Sequence, residues 1–518
     1  MTSAGREEYV TDVEYLRGFA TDLSPVRLRL VAALNGFPQP PAEDFDYCEL
    51  GSAHGDTTVA LAAAYPRARV VGVDINPEHV DAARRLATDG GVRNVRFLER
   101  DFADLAGEDV PDFDFITAHG VLSWVGQSTR KAVIDLAASK LKPGGLLYVS
   151  YNALPGWAAV EPLRQLMVDR AAAVGGGSLE RARVGVALAR RLCDAGAVYF
   201  ADNPAAKSML ALMEQHGLAY VVHEYMNAHW VPMYFAQVAA EMAAAGLYFV
   251  GQLPLHLNFQ DLAVPASMSE VFKGVTDRVT FESLKDYANN EFFRRDVFVK
   301  GQVPRYEAAT ASYLSSTPFG IALGEGQLAR SVRLPHQTLH FSGPIFDALF
   351  PALAAGASTV RDLARLPALA QFGATRVREA LVRLAIAGQV SPMLRTTRSG
   401  PAPAGTYRIP SEYNRMALAR LSSDRPMILA SEVAGTAVSI AMLEGVILRL
   451  LTEVPEAGWP EWIVEFARRQ PFRLRVSDRA VEEDQERVSV LLEQVERFRA
   501  ARLPTLVELG ILERVDGW

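Results

Sequence analysis

The chain has 518 residues, 49% of them hydrophobic and 22% charged, a balance that supplies full apolar cores and excludes global disorder. A formal net charge of −7 and a pI near 5.8 disfavour generic attraction to a phosphate backbone, so nucleic acid is not an expected partner. At the usual size of folding units the length corresponds to roughly three or four domains. The two cysteines, Cys48 and Cys193, suit a reducing compartment and leave no zinc ligand set, so no metal is expected.

Met1 to Asp12 is polar and acidic and lacks the basic and apolar regions of a secretion signal, so the chain is expected to stay in the cytoplasm. Residues 1–45 form a helical preface closed by Phe37-Pro38-Gln39-Pro40-Pro41, whose prolines cannot continue a helix. Strands are then predicted at 46–50, 69–74, 94–98, 113–118 and 145–151, with helices at 56–65, 77–88, 129–140 and 158–173. This alternation predicts an α/β domain of Rossmann-like type, a parallel sheet covered by helices on both faces. Residues 174–235 break the rhythm with Gly175-Gly176-Gly177, a long helical segment and an aromatic run from Tyr220 to Tyr234, and read as a substrate-side insertion. A helix at Phe235–Ala245, a strand at 247–250 and a final strand at 294–300 extend the first domain over 46–302.

Residues 303–335 read as a linker. Helical spacing at 346–354, 359–364 and 376–387, followed by strand-like 390–394, predicts a winged-helix-like domain over 336–424. The remainder, 425–518, reads as a helical domain. Within it Met427 to Leu451 carries Glu432, Glu444 and Arg449, which favours a buried amphipathic helix over a membrane span, and 481–502 pairs Glu and Arg at helical spacing.

The chemistry concentrates at the first strands. Glu49-Leu50-Gly51-Ser52-Ala53-His54-Gly55 is a strand, a glycine turn and the start of a helix, and Val73-Asp74-Ile75 ends the second strand in a carboxylate. Gly51 and Gly55 let a charged ligand tail approach the backbone, Asp74 is placed to accept both ribose hydroxyls, and Asp101-Phe102 after the third strand is placed to meet an adenine amino group and its ring. Taken singly, Glu49 is a strand end and Asp74 and Asp101 are helix or turn caps, and His54 is a loop residue. On three successive strand ends in this order they outline a nucleoside site.

These motifs resemble the class I S-adenosylmethionine-dependent methyltransferases over residues 46–175, with Ala53 standing where many members have a middle glycine. The resemblance implies S-adenosylmethionine held by Glu49, Gly51, Ser52, Gly55, Asp74, Ile75, Asp101, Phe102 and His119. Methyl transfer is an in-line displacement that needs alignment and exclusion of water rather than a nucleophile or metal. The acceptor belongs beyond the fourth strand, at His119-Gly120-Val121-Leu122-Ser123-Trp124, with Tyr151-Asn152-Ala153-Leu154-Pro155-Gly156-Trp157 after the fifth. No Asn-Pro-Pro-Tyr-like element stands there, which disfavours base or glutamine methylation. Trp124 and Trp157 either guide a lysine stem and ammonium or pack under the insertion.

The acceptor-side segments, with His223-Glu224-Tyr225-Met226-Asn227 and Phe293-Arg294-Arg295-Asp296, resemble the methyltransferases that carry a methyltransferase regulatory domain, a group that includes rickettsial protein-lysine methyltransferases acting on outer-membrane protein. That likeness implies N-methylation of lysine in a protein substrate, an outer-membrane protein before export being one such partner. His119, Tyr151 or Asn152 is then placed to orient the amine and pass its proton to water. His223 and Glu224 either join them or make a structural hydrogen bond, and Tyr9 and Tyr15 either close over the cofactor or pack in the preface. The alternatives are a small-molecule or amine methyltransferase and a cofactor-sensing regulator binding nucleic acid through Arg361, Arg365, Arg376, Arg378 and Arg383. A protein-docking or homodimer role for the winged module is preferred to the last.

Overall fold

The computed structural model describes Val13 and residues 17–321, 328–398, 405–422, 427–469, 475–476, 479–481 and 483–515. Tyr9 and Tyr15 lie outside them. Helix α1 (Pro25–Leu34) starts at a proline, whose missing N–H costs nothing in a first turn, and buries most of its length. The strands β1 (Asp46–Leu50), β2 (Arg69–Asp74), β3 (Val95–Glu99), β4 (Phe113–Ala118) and β5 (Leu141–Asn152) alternate with α2 (Asp56–Ala64), α3 (Pro77–Asp89) and α4 (Gln127–Lys140), as the sequence predicts. β1 and β4 are buried at every position, as strands covered on both faces must be.

After α5 (Glu161–Ala172) the insertion forms α6 (Ser178–Asp194), α7 (Val198–Asp202), α8 (Pro204–His216) and α9 (Leu218–Tyr225). The chain then returns through α10 (Phe235–Ala244) and β6 (Leu247–Gln252), and β7 (Phe293–Lys300) completes a seven-stranded sheet of order β3-β2-β1-β4-β5-β7-β6. β1 to β5 pair in parallel, while β7 runs antiparallel to both β5 and β6. The order reverses between β1 and β4, and a ligand crevice opens at the carboxyl ends of strands flanking such a switch.

The stretch read as a linker contains a helix, Glu307–Ser316, whose Tyr313 and Leu314 are buried in the same core as α1 and the sheet. In 336–424 the helices are Pro344–Ala354, Val360–Leu363, Pro367–Ala370 and Gly373–Ile386. The strand expected to begin a wing, Val390–Pro392, instead pairs with Phe319–Ile321, and Thr406–Arg408 pairs with Glu513–Val515. The single helix expected over Met427–Leu451 is corrected: Met427–Ser431 and Thr436–Ile440 form an antiparallel hairpin, and only Met442–Glu453 is helical. Alternating β-branched residues and Gly435 at φ +63° favour the hairpin there. No helix among the described residues is long and apolar enough to cross a membrane.

Candidate cofactor and acceptor site

A cavity of about 440 Å³ opens at the switch point, within the range of small-molecule sites. Its wall includes Glu49, Gly51, Ser52, Asp74, Ile75, Phe102, His119 and Trp124, so most of the residues proposed from three separate strand ends meet in one place. Gly51 has φ +76°, and a Cβ there would lie 2.9 Å from Val121 Cγ2, so a side chain would wedge the glycine turn away from the loop after β4. Gly55 is not part of the wall. Its missing Cβ would sit 2.7 Å from the Ala83 Cβ and 3.0 Å from the Phe97 ring, so this glycine serves the packing of α2 on α3 rather than a ligand. Ala53 adopts φ +44°, a left-handed conformation that a Cβ disfavours, and its N–H is held by Asp74 Oδ2 at 2.9 Å.

Asp74 therefore does local work: Oδ2 accepts from Ala53 and Oδ1 accepts from the Asn76 N–H at 2.8 Å. The true cap of α3 is Asn76, whose side chain accepts from the Glu78 N–H at 2.9 Å. Asp74 borders the cavity, and His79 Nδ1 lies 3.5 Å from its Oδ1. Asp101 does not reach the wall; its Oδ1 accepts from the Ala103 N–H at 3.0 Å and closes a turn, leaving Phe102 alone on that side. Glu49 is buried and accepts from Thr58 Oγ1 at 2.6 Å. Burial raises its pKa to about 8, the charges of Asp56 and Asp74 add to the rise, and the Thr58 hydroxyl opposes it.

On the acceptor side, His119 faces the cavity, with Nδ1 within 3.1 Å of the Tyr148 hydroxyl and 3.0 Å of Ser150 Oγ. The packing around it lowers its pKa. Ser150 Oγ also accepts from the Gly120 N–H, and Ser123 Oγ accepts from the Asn152 N–H, so two serines fix the loop 119–125 to β5. The insertion's return completes this: Val231 N–H donates to Ser123 O, and Met233 N–H to Asn152 O. Trp124 lines the cavity while its Nε1 is buried without a hydrogen-bond partner, in contact with the apolar core of the insertion.

Three acceptor candidates do not line this cavity. Tyr151 is fully buried away from the cavity, donating to Asp296 Oδ2 at 2.6 Å; burial and the Asp296 charge push its pKa far up. Asn152 contributes only backbone ties and is not part of the wall. Trp157 donates from Nε1 to Phe292 O at 2.9 Å and packs edge-on against Trp230 beneath the insertion, the structural option. His223 and Glu224 sit on α9, where burial alone raises the Glu224 pKa to about 7, and neither borders the cavity. His54 lies on the wall with its ring 4.4 Å from that of His79.

The wall also contains residues that the motifs did not reveal. Arg17, Phe19, Ala20 and Leu23, from the strap of chain before α1, also line it, and Asp56, Thr57 and His79 complete the cofactor side. Asp56 and Thr57 follow directly on the glycine turn and were legible as the first turn of α2. No local pattern marks Arg17. Taken together, a paired-acceptor carboxylate at a strand end, the aromatic and aliphatic surfaces of Phe102 and Ile75, and a buried acid beside a glycine turn form a donor set that fits an adenosyl amino acid.

Residues 48–145 match the family described as Methyltransferase domain, and residues 217–300 the family described as Predicted methyltransferase regulatory domain. An uncharacterized protein from Synechocystis is 30% identical over 507 residues, 98% of this chain and 99% of that protein. In fold the chain is similar to PKMT2 from Rickettsia typhi in complex with AdoHcy, with TM-score 0.74 and 18% identity over 96% of this chain and 99% of that one. A trans-aconitate 2-methyltransferase from Methylobacterium nodulans is 35% identical over 101 residues, 20% of this chain and 36% of that protein.

Proposed function

The chain belongs to the class I S-adenosylmethionine-dependent methyltransferases that carry a methyltransferase regulatory domain, and from that premise we propose that it methylates the ε-amine of lysine in a protein substrate. S-adenosylmethionine is the cofactor and supplies a methyl group on a sulfonium, open to in-line attack by a neutral amine. In this reading Asp74 holds the ribose, Ile75 and Phe102 sandwich the adenine, and Glu49 faces the α-ammonium. His119, fixed by Tyr148 and Ser150, and Trp124 shape the entrance for the acceptor.

The observation that carries the amine acceptor is the composition of that entrance. On the acceptor side the cavity wall is made by His119, Gly120, Val121, Trp124 and Val125, with no lysine or arginine among them; the wall's Arg17 is paired to Asp56 on the cofactor side. A polycarboxylate acceptor needs cations there; a lysine needs an aromatic and aliphatic sleeve for its stem and a dry mouth that lowers its pKa from near 10.4 so that the lone pair is free. Likeness over nearly the whole chain to Rickettsia typhi PKMT2 supports the same reading.

Incubation with labelled cofactor and cell extract tests it: label should enter a protein band, survive alkali, which would hydrolyse a carboxyl methyl ester, and be recovered as methyl-lysine. Label found only in small molecules would sink the proposal and favour the small-molecule reading. We read the winged-helix-like region as a protein-docking module, because Arg378 and Arg383 share a groove with Asp261, Glu307 and Glu379 rather than forming an open cationic face. No duplex should be shifted, even at low salt.

A further inference from the structure

One charged member of the cavity wall has no role in the account above. Arg17 Nε donates to Asp56 Oδ2 at 3.0 Å and Nη2 to Oδ1 at 2.8 Å. This bidentate pair occupies one edge of the guanidinium, and among the described residues no partner takes the N–H groups of Nη1 or the second of Nη2. Among the described wall residues Arg17 is the sole guanidinium or ammonium, whereas Glu49, Asp56 and Asp74 all bring carboxyl groups. A cofactor whose amino-acid end carries a carboxylate cannot bring it among these three without a cation to receive it.

Resting on the cofactor reading above, we infer that Arg17 receives the α-carboxylate of S-adenosylmethionine while Asp56 orients its guanidinium. The strap that carries Arg17 is already fixed: Ala20 N–H donates to Thr57 Oγ1 at 3.0 Å, and Asp22 pairs with Arg295 at 2.7 Å and Arg27 at 3.1 Å. Arg17 thus loses little side-chain freedom on binding. The rival acceptor of an anion is the N-terminus of α2, but Asp56, the first residue of that helix, puts its own negative charge there. Arg17 both offsets that charge and presents free donors.

Calorimetric titration of wild type, Arg17→Gln, Arg17→Lys and Asp74→Ala with S-adenosylmethionine, S-adenosylhomocysteine and decarboxylated S-adenosylmethionine tests the assignment. Arg17→Gln should weaken the first two ligands by about 10- to 100-fold, the range of a hydrogen bond to a charged group, and leave the decarboxylated ligand within about twofold of wild type. Arg17→Lys should recover part of the loss, a point charge replacing a fork, and it carries the test if Arg17→Gln fails to fold. Equal weakening of all three ligands, or of none, would overturn the inference. Asp74→Ala should weaken all three alike; if it changes none, the cofactor placement itself falls, and that failure is distinct from one confined to Arg17.

Discussion

On the proposed placement of the α-ammonium, Glu49 should make cofactor binding a proton-release reaction. Burial, then the neighbouring Asp56 and Asp74 charges, hold its pKa at about 8 against an ordinary 4.5. An α-ammonium beside it would offset both the burial and the neighbouring charges, so the carboxyl should ionise as the ligand enters. At pH 7 such a group is about nine-tenths protonated, so binding releases about one proton, and affinity falls about tenfold for each pH unit below 8. Titrations at pH 6.5 and 8.5, each in two buffers of different ionisation enthalpy, measure both quantities. Glu49→Gln should bind more weakly and lose this pH dependence, and the comparison separates the Glu49 proton from that of the ligand's own amine, which both proteins share. Parallel pH profiles for wild type and Glu49→Gln, with no difference in buffer-dependent enthalpy, would refute the reasoning. The same residue gives a stability signature in the opposite sense. Because the folded pKa lies above the unfolded one, the contribution of protonated Glu49 is fully present below about pH 4.5 and is lost as pH rises through about 8. Glu49→Gln should therefore gain on wild type in the ligand-free state as pH rises, by at most roughly 5 kcal/mol at the upper end of that window.

Ala53→Gly should relieve the positive φ and stabilise the protein by about 0.5–1 kcal/mol, read as a higher denaturant midpoint at unchanged slope; a loss of stability would contradict the strained conformation. Tyr151→Phe removes a buried donor to Asp296 and should cost about 1–3 kcal/mol in denaturant melts while cofactor affinity stays put. A folded Tyr151→Phe that binds cofactor but transfers no methyl group would restore Tyr151 as a catalytic residue. Trp124→Ala should lower kcat/KM for the protein acceptor by about tenfold, the worth of one desolvated aromatic contact with a cation, with cofactor affinity within about threefold; an unchanged kcat/KM would remove Trp124 from the entrance.

The part of the cavity wall proposed to hold the cofactor was legible because its signals are local. Glu49, Gly51, Ser52, Asp74, Ile75 and Phe102 each follow directly from a strand end, and strand ends in a parallel sheet converge on one edge. The acceptor half was legible only in part. On β5, Tyr148 and Ser150 face His119, so period two sends Tyr151 to the opposite face, where its partner Asp296 lies 145 residues away on a strand whose direction no local pattern gives. Trp157 was undecidable for the same reason: Trp230 and Phe292, which decide its role, are brought to it only by the fold. Arg17 lies outside every motif, and the hairpin at 427–440 was lost because an apolar run of that length satisfies helical and strand spacing alike.

The segment 217–300 contributes β6 and β7 to the seven-stranded sheet, and the neighbouring Arg294 and Arg295 tie it to the rest of the fold on opposite faces. Arg294 points into a fully buried cluster with Glu282, Asp286 and Asp296, with Lys285 also paired to Glu282, tying the helix Arg278–Asn289 to β7 and, through Tyr151, to β5. Burial opposes the Arg294 charge, but the surrounding carboxylates more than offset this and hold its pKa well up. Arg295 points to the other face and pairs with Asp22 on the strap. Removing one member of a buried ion cluster typically costs about 3–5 kcal/mol, because the partners left behind have no solvent. A one-residue slip of β7 against β5 would exchange two arginines, which is nearly neutral in charge, but it would also exchange Asp296 with Val297, leaving Arg294's place in the cluster without its carboxylate and Tyr151 without its acceptor. The Asp296–Val297 alternation, rather than the arginine pair, therefore fixes the register, and with it the point at which Arg295 holds Asp22 of the strap.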